Sequence, residues 1–160
     1  MSETEKEFHK ALVHPAMFTH PNPQHVAIIG AGDGGVLREV LKHKTVQSAT
    51  MIEIDEMLVN LCCQHLPFMS DCKDLVGIAD VCFDDDKANV IYDDGRTWFL
   101  QHYGPHAKQS PSVDQFDVVI VDALDPEVEK NPISDRLYSD VNFIDSFFHP
   151  FPTKESLPSR

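Results

Sequence analysis

The chain has 160 residues, the size of a single domain, and its 42% hydrophobic and 24% charged residues are ordinary for a globular protein. Its formal net charge of −13 argues against nucleic acid as a partner, because binding to phosphates needs clustered lysine and arginine. No apolar run approaches the roughly 20 residues needed to cross a bilayer, and the acidic N-terminus is unlike a signal peptide, so we expect a cytoplasmic protein with no membrane partner.

The N-terminal part of the chain contains one predicted helix and one predicted strand. We expect residues 1–6 to be frayed, and Glu7–Met17 has a short helical pattern that Pro15 should end or bend. After a connector with two prolines, His25–Ile29 is apolar beyond its first residue, which is typical of a strand buried on both faces. This run is therefore the first predicted core strand.

A helix, a strand and a second helix are predicted next. The apolar residues of Asp33–Lys44 recur on one face, which predicts an amphipathic helix. Ser48–Ile54 is the second predicted strand, and Asp55 is suited to cap a helix over Glu56–Leu66. Residues 67–87 mix apolar and polar residues without a clear period, and they fit a short helix and a loop.

The remaining pattern completes four strands. Ala88–Tyr92 is the third predicted strand, Arg96–Tyr103 a helix and Phe116–Val121 the fourth strand. Leu137–Phe148 has the spacing of an amphipathic helix, with one apolar side made of Leu137, Val141, Ile144 and Phe148. Strands that alternate with helices predict a parallel sheet with right-handed crossovers. We expect this α/β domain to span residues 7–149 and the tail over 150–160 to be disordered.

The cysteines and histidines do not indicate a metal site. Four cysteines, Cys62, Cys63, Cys72 and Cys82, include no C-x-x-C pair. Without a secretory signal we expect free, buried thiols and no zinc. The nine histidines are scattered, so we predict no bound metal.

The stretch from Val26 to Glu39 carries the clearest motif. Gly30, Gly32 and Gly35 fit G-x-G-x-x-G between a predicted strand and a predicted helix, where a doubly wound domain receives a nucleoside-bearing cofactor. Asp33 stands inside this turn. A carboxylate there would repel a pyrophosphate and attract a cation. The motif therefore predicts a nucleoside site that is not designed for a dinucleotide.

Carboxylates follow all four predicted strands. Any one of them alone would be read as a helix cap or a loop residue. In an open parallel sheet, however, the C-terminal ends of the strands form the edge where ligands bind. The recurrence at four strands therefore favours a site, whose candidate residues are Asp33, Glu53, Asp55, Asp94, Asp122 and Asp125.

Position along the chain suggests what each acid would contact. Glu53 follows the glycine turn by about 20 residues, the spacing at which an acid accepts hydrogen bonds from ribose hydroxyls. Asp94 could accept the exocyclic amine of an adenine, and Asp33 would hold a positive group at the reactive end. Asp122 and Asp125 flank the remaining space. S-adenosylmethionine and its decarboxylated form both have adenosine, no phosphate and a cationic tail, so both fit.

The chain resembles the catalytic domain of the aminopropyltransferases, the spermidine synthase family, from about residue 7 to residue 148. The glycine-Asp-glycine turn and the Asp-x-x-Asp-Pro segment together make the resemblance specific. It implies an S-adenosylmethionine-methyltransferase-like Rossmann fold that is incomplete at both ends. The matching stretches are Leu12–Met17, Gly30–Glu39 with Leu41–His43, Glu53–Glu56, Asp94-Gly95, and Phe116–Asp122 with Asp125-Pro126.

The resemblance implies a reaction and a set of partners. An aminopropyl group would pass from decarboxylated S-adenosylmethionine, a co-substrate, to putrescine or a related polyamine, giving spermidine and methylthioadenosine. No permanently bound cofactor and no metal are implied, and the family's N-terminal β-domain aids assembly into a homo-oligomer.

The resemblance also implies roles for individual residues. Asp122 would be the general base, and Asp125 would help to hold the polyamine. Asp33 would lie near the aminopropyl amine, and the cofactor would contact Gly30, Gly32, Asp33, Gly35, Glu53, Asp94 and Gly95.

The sequence departs from the family pattern at two functional segments. Ala123-Leu124 stands between the two acids, where most members have small polar residues. Phe8-His9-Lys10 stands where members usually have Tyr-His-Glu, so a hydroxyl and a carboxylate near the ligands are lost. The first of these departures leaves the amine acceptor open.

Two other functions remain alternatives. A class I S-adenosylmethionine-dependent methyltransferase would use the same glycine turn and Glu53, although the carboxylate tail of its cofactor would be repelled by Asp33. The other alternative is a catalytically incomplete fragment that binds the nucleoside without turnover. An NAD dehydrogenase is a more distant reading, because Asp33 would repel the pyrophosphate.

Overall fold

A computed structural model describes residues 3–105, 107, 115–123 and 137–147 of the chain. The chain divides into two compact units. The first comprises Met1–Gly95 and Phe116–Ala123, and the second comprises Arg96–Gln115 and Leu124–Arg160. The predicted tail at residues 150–160 lies outside the described residues.

A parallel four-stranded sheet forms the centre of the first unit. Its order is β3-β2-β1-β4, and every neighbouring pair is parallel. The predicted α/β fold with a parallel sheet is therefore confirmed, and each strand lies close to its expected bounds. The strands are β1 (His25–Gly30), β2 (Ser48–Glu53), β3 (Ala88–Tyr92) and β4 (Val118–Asp122).

The register of the strands places their C-terminal ends at one edge. In the two pairs made by β1, Gly30 lies opposite Asp122 and Ile29 lies opposite Ile52. Glu53, the last residue of β2, lies opposite Tyr92 of β3. The glycine turn, Glu53 and Asp122 therefore emerge side by side, at the edge where open parallel sheets bind ligands.

The structure gives the bounds of five α-helices and one short 3-10 helix, and residues 137–139 are helical as well. Asp55 accepts a hydrogen bond from the N–H of Leu58 at 3.0 Å, so its predicted role as the N-cap of the third helix is confirmed. No described helix is long and apolar enough to cross a membrane. The helices are α1 (Glu3–Thr19), α2 (Gly35–Leu41), α3 (Glu56–His65), the 3-10 helix (Cys82–Asp84), α4 (Gly95–Tyr103) and α5 (Val141–Asp145).

Helix α1 is longer than the sequence predicts. It begins at Glu3, so residues 3–6, which we expected to fray, lie in its first turns, and it continues beyond Pro15 to Thr19. Of the two effects predicted for Pro15, ending or bending the helix, the first is wrong. Val13 and Met17, on either side of the proline, are buried in the core that also contains residues of α2. This packing outweighs the ~3 kcal/mol that an internal proline costs.

Helix α2 is buried along its whole length and carries a buried carboxylate. Glu39 lies 2.6 Å from the ammonium of Lys42 and 3.2 Å from the guanidinium of Arg38. His14 of α1 lies 3.2 Å from the second carboxylate oxygen, at ion-pair distance but without hydrogen-bond geometry. Burial raises the pKa of Glu39, but Lys42 and Arg38 outweigh it and lower the pKa below its usual value. A compensated charge therefore links α1 to α2.

The segment between α3 and β3 contains a disulfide. Cys72 is bonded to Cys82, while Cys62 and Cys63 are free. The expectation of free thiols is confirmed for Cys62 and Cys63 and is wrong for Cys72 and Cys82. Asp71 and Val81, next to the bonded cysteines, form an isolated antiparallel bridge. The pairing thus depends on a chain reversal that the cysteine spacing does not reveal.

The second unit is built around phenylalanines. Phe99 of α4 and Phe143 of α5 are each 1% exposed, and their rings meet edge to face at 6.1 Å. Phe147 completes the cluster at 5.1 Å from Phe99 and 4.7 Å from Phe143. Edge-to-face packing of this kind stabilises the contact beyond its apolar area.

The last helix differs from its prediction. Asp140 accepts N–H groups from Asn142 and Phe143, so α5 begins after it. Val141 is 67% exposed and Ile144 is 37% exposed, so the predicted apolar side is wrong at both. Phe143 is the residue that packs inward, because the predicted single helix is interrupted at Asp140: residues 137–139 are helical, and α5 starts anew after the cap. Phe148 lies outside the described residues.

Asp117 joins the N-terminal ends of two neighbouring strands, β1 and β4. Its Oδ2 accepts the backbone N–H groups of Gln24 at 2.7 Å and His25 at 2.9 Å, just before and at the start of β1. Burial raises the pKa of Asp117, but these two donors outweigh it and hold the pKa below its usual value. The ionised carboxylate therefore stabilises the folded chain.

We predict that Asp117→Ala lowers the free energy of unfolding by about 1–3 kcal/mol, because two backbone donors lose their acceptor. The pKa is lower in the folded state, so the stabilisation is complete above the unfolded pKa of about 3.9 and is lost as the pH falls through the folded pKa. Urea unfolding at neutral and acidic pH measures both effects, with exposed Asp74→Asn as the control. A loss independent of pH would contradict this account.

Candidate functional site

The glycine turn brings the end of β1 against the end of β4. Gly30 has a φ of +84°, a left-handed conformation that glycine adopts without strain. A side chain at Gly30 would collide with the backbone carbonyl of Asp122. The same carbonyl accepts the N–H of Ala31 at 3.0 Å. The predicted nucleoside turn is therefore tied by its backbone to the residue predicted to be the general base.

His9 of α1 holds Asp33 from one side. The Nε2 of His9 lies 3.5 Å from Oδ2 of Asp33, whose Oδ1 accepts the N–H of Gly35 at 2.7 Å. The imidazole is 4% exposed and lies against Gly35, where any side chain would clash with it. Its Nδ1 is buried and has no hydrogen-bond partner among the described residues. Helix α1 thus places a buried imidazole beside the glycine turn.

The two groups change each other's proton affinity. The hydrogen bond to Asp33 raises the pKa of His9 above its usual 6.5, and the opposing effect of burial is smaller. For Asp33, burial raises the pKa, but His9 and the Gly35 N–H outweigh it and lower the pKa below its usual value. Asp33 is therefore a stable carboxylate at neutral pH, as a cation-binding role requires.

Glu53 lies at the end of β2, facing the glycine turn. It is 5% exposed, and its Oε1 accepts the N–H of Asp55 at 2.9 Å. Its other oxygen would lie 3.0 Å from a Cβ placed at Gly32. The absence of a side chain at Gly32 thus leaves the carboxylate beside the turn, in a position to accept hydroxyl hydrogen bonds from a ligand above it.

Asp94 and Gly95 follow β3 and approach the same edge. The Asp94 N–H donates to Oδ1 of Asp93 at 2.8 Å, and α4 begins at the next residue. A Cβ at Gly95 would lie 2.6 Å from Cγ2 of Ile29, the residue before the glycine turn. The predicted adenine-side residues are therefore next to the end of β1.

Asp122, the last residue of β4, has a raised proton affinity. Burial raises its pKa above the usual value, and the negative charges of Asp33 and Glu53 raise it further, while His9 opposes them. These charges act on one another because Asp33, Glu53 and Asp122 lie at the ends of the neighbouring strands β1, β2 and β4. A carboxylate with a raised pKa is better suited to accept a proton.

Taken together, the edge of the sheet is an anionic site with one imidazole. Glu53 and Asp122 end β2 and β4, Asp33 and Asp94 follow β1 and β3, and Asp55 caps a helix. Such a charge distribution stabilises a bound ammonium or sulfonium and opposes a phosphate. No group of three or more metal-binding side chains occurs within the part of the chain that the structure describes.

The structure places four of the predicted acids at the ends of the strands and adds a contact that was not predicted. Asp125, predicted to hold the polyamine, lies outside the described residues. His9 was given no role, although it lies in the segment matched to the family's Tyr-His-Glu. The signal was present, because a histidine in that motif precedes the first strand, but only the packing of α1 reveals its contact with Asp33.

Comparison with known proteins identifies the family of this chain. A family model described as "Spermine/spermidine synthase domain" matches residues 5–146. The chain is 41% identical over 122 residues to a polyamine aminopropyltransferase of Thermococcus onnurineus, covering 76% of this chain and 36% of that protein. A second polyamine aminopropyltransferase, from Pyrobaculum neutrophilum, is 39% identical over 132 residues, covering 82% of this chain and 39% of the relative.

Solved structures give the same result. A spermidine synthase in complex with the transition-state analogue AdoDATO matches with a TM-score of 0.69 and 32% identity, covering 89% of this chain and 40% of that one. The spermidine synthase of Thermotoga maritima matches with a TM-score of 0.58 and 35% identity, covering 73% and 34%. The likeness confirms the predicted methyltransferase-like Rossmann fold. The chain spans well under half the length of these relatives.

We predict that Asp33→Asn lowers the pKa of His9, because the imidazolium loses its hydrogen-bond acceptor and a nearby negative charge. The same change should lower the pKa of Asp122 by removing a like charge. NMR titration of the His9 ring and of the Asp122 carboxyl carbon measures both shifts. Exposed Asp86→Asn is the matched control and should leave both titrations unchanged. An unshifted His9 would show that the Asp33 contact does not form in solution.

Proposed function

The chain belongs to the spermine/spermidine synthase family, and from this membership we propose that it transfers an aminopropyl group from decarboxylated S-adenosylmethionine to putrescine or a related polyamine. The products are the longer polyamine and methylthioadenosine. The observation that carries the proposal is the placement of Asp33 and Asp122 at adjoining strand ends, joined by the hydrogen bond from Ala31 to the Asp122 carbonyl. In this proposal the carboxylate of Asp33 holds a cation, and that of Asp122 accepts a proton.

Proton transfer is the first requirement of this reaction. The acceptor amine is an ammonium with a pKa near that of lysine, about 10.4, and it must lose a proton before it can attack. Asp122 is the general base in our proposal, because burial and its neighbours raise the pKa of its carboxyl. The carbon next to the sulfonium then accepts the amine lone pair, and the carbon–sulfur bond breaks to release neutral methylthioadenosine.

Charge recognition at Asp33 selects the cofactor. Decarboxylated S-adenosylmethionine has an ammonium and no carboxylate on its tail, so Asp33 attracts it and would repel the carboxylate of ordinary S-adenosylmethionine. His9 keeps Asp33 ionised and oriented through the contact at 3.5 Å. This preference favours aminopropyl transfer over the methyltransferase alternative.

The remaining residues hold the nucleoside. Glu53 accepts hydrogen bonds from the ribose hydroxyls, and Asp94 with Gly95 contacts the adenine. Gly30, Gly32 and Gly35 let the backbone approach the ligand closely. Most of the rate beyond proton removal comes from alignment of amine, carbon and sulfur, which requires no metal.

The cellular setting is also part of the proposal. We place the protein in the cytoplasm, with the polyamine and decarboxylated S-adenosylmethionine as its small-molecule partners and with assembly into a homo-oligomer. Asp125 is proposed to contact the polyamine.

The direct test is to incubate the chain with decarboxylated S-adenosylmethionine and putrescine, spermidine or cadaverine, and to follow methylthioadenosine release. Release with one of these amines supports the proposal and identifies the acceptor. No release from folded protein that still binds methylthioadenosine would favour a binding-only role. Tighter calorimetric binding of S-adenosylmethionine than of its decarboxylated form would favour a methyltransferase.

We predict that Asp122→Asn lowers kcat by roughly 10²–10⁴-fold, the usual contribution of a general base. Calorimetric binding of methylthioadenosine should stay near that of the unmodified chain, because the amide retains the shape of the side chain. Asp86→Asn should change neither quantity. An Asp122→Asn variant with full turnover would exclude Asp122 as the base.

Asp33→Asn and Glu53→Gln should weaken binding of the cofactor through different parts of the ligand. Loss of the Asp33 charge should weaken the binding of decarboxylated S-adenosylmethionine more than that of methylthioadenosine, because only the former has the ammonium. Glu53→Gln should weaken both ligands to a similar extent, because both have the ribose. Calorimetry gives the dissociation constant of each ligand for each variant. If the ratio of the two constants is the same in both variants, these roles are contradicted.

A further inference from the structure

The disulfide closes a small loop behind the glycine turn. We call residues Ser70–Phe83 the clasp. Besides the Cys72–Cys82 bond, two backbone hydrogen bonds cross it, from Cys72 to Asp80 and from Cys82 to Ser70, both at 2.9 Å. The tip of the clasp is exposed, with Val76 fully accessible to solvent. The covalent bond is therefore the strongest constraint on this loop.

The two ends of the clasp support the glycine turn directly. Gly34 has a φ of +85°, and a Cβ there would lie 2.9 Å from the Phe83 ring and 2.9 Å from Cβ of Ser70. Phe83 and Ser70 thus pack against the backbone beside Asp33. Each lies within two residues of a bonded cysteine.

A second contact links the clasp region to α2. The guanidinium of Arg38, which is 6% exposed, donates to the carbonyls of Phe68 at 3.0 Å and Met69 at 2.9 Å. The chain entering the clasp is therefore anchored to the helix that follows the turn. Displacement of the clasp would remove support from the turn and from the position of Asp33.

We propose that the Cys72–Cys82 disulfide is a redox control of the cofactor site, in which the bonded clasp holds the glycine turn in its binding conformation and reduction releases it. The inference rests on the proposed nucleoside site. It also rests on the proposed cytoplasmic setting, where the rare disulfides are usually redox-sensing or catalytic.

The chemistry is ordinary thiol–disulfide exchange. A dithiol reductant attacks one sulfur of the bond through its thiolate, forms a mixed disulfide, and is then oxidised to its own disulfide by its second thiol. Two electrons and two protons pass to Cys72 and Cys82, which become thiols. Both residues are buried, at 1% and 0% exposure, so attack requires the clasp to open first.

Ligand binding and reduction must therefore oppose each other. If the bonded clasp favours the bound form of the turn, the bound nucleoside must by linkage stabilise the closed clasp to the same extent. Reduction of the occupied protein should therefore be less favourable at equilibrium. It should also be slower, because the buried sulfurs are attacked only after the clasp opens.

The test measures methylthioadenosine binding by calorimetry before and after treatment of the full chain with dithiothreitol. Alkylation of denatured protein should label two cysteines before reduction and four after it. We expect roughly tenfold weaker binding after reduction, since a loosened turn must be reordered on binding, with recovery on reoxidation. Saturating methylthioadenosine should slow the reduction.

Two variants sharpen the result. Cys72→Ser/Cys82→Ser should bind weakly with or without dithiothreitol, while Cys62→Ala/Cys63→Ala should respond as the unmodified chain does. Equal binding by oxidised and reduced chain would overturn the redox control and leave the proposed function intact. Absence of nucleoside binding in both states would overturn the proposed function itself. Four labelled cysteines before reduction would exclude the disulfide.

Discussion

The contact between Gly30 and the carbonyl of Asp122 is the constraint on which the site depends. Only a residue without a side chain lets β1 turn so close to the end of β4. The hydrogen bond from Ala31 to the same carbonyl then fixes the turn to that strand at 3.0 Å. The residue proposed to bind the cofactor's cation and the residue proposed to take a proton are thus positioned by one piece of backbone.

The site combines like charges that would be costly without compensation. Asp33 is kept ionised by His9 and a backbone N–H, whereas Asp122 is pushed toward protonation by burial and by Asp33. The two carboxylates are therefore suited to different tasks, one to hold a cation and the other to accept a proton. A bound sulfonium and ammonium would complete the charge balance of the site, which explains why the proposed ligands are cationic.

Local patterns were sufficient for the sheet and for the placement of the acids at its edge. The apolar runs of β1 and β4, the glycine spacing and the acid after each strand are all encoded within a few residues of sequence. The two helix predictions that failed had different causes, tertiary packing at α1 and a local cap at α5. Helix α1 continues through Pro15 because Val13 and Met17 are buried, and α5 turns Phe143 inward because Asp140 caps it. Neither effect has a signature at the level of hydrophobic periodicity.

By itself, the sequence determined the parallel fold, the glycine turn and the anionic edge, because strand pattern and glycine spacing act locally. Only the tertiary structure decided that His9 contacts Asp33 and that Cys72 bonds Cys82, because each pair joins segments that the chain separates. The same holds for the support that Phe83 and Ser70 give to Gly34. Such contacts depend on how helices and loops pack on the sheet, and the spacing of residues along the chain does not predict that packing.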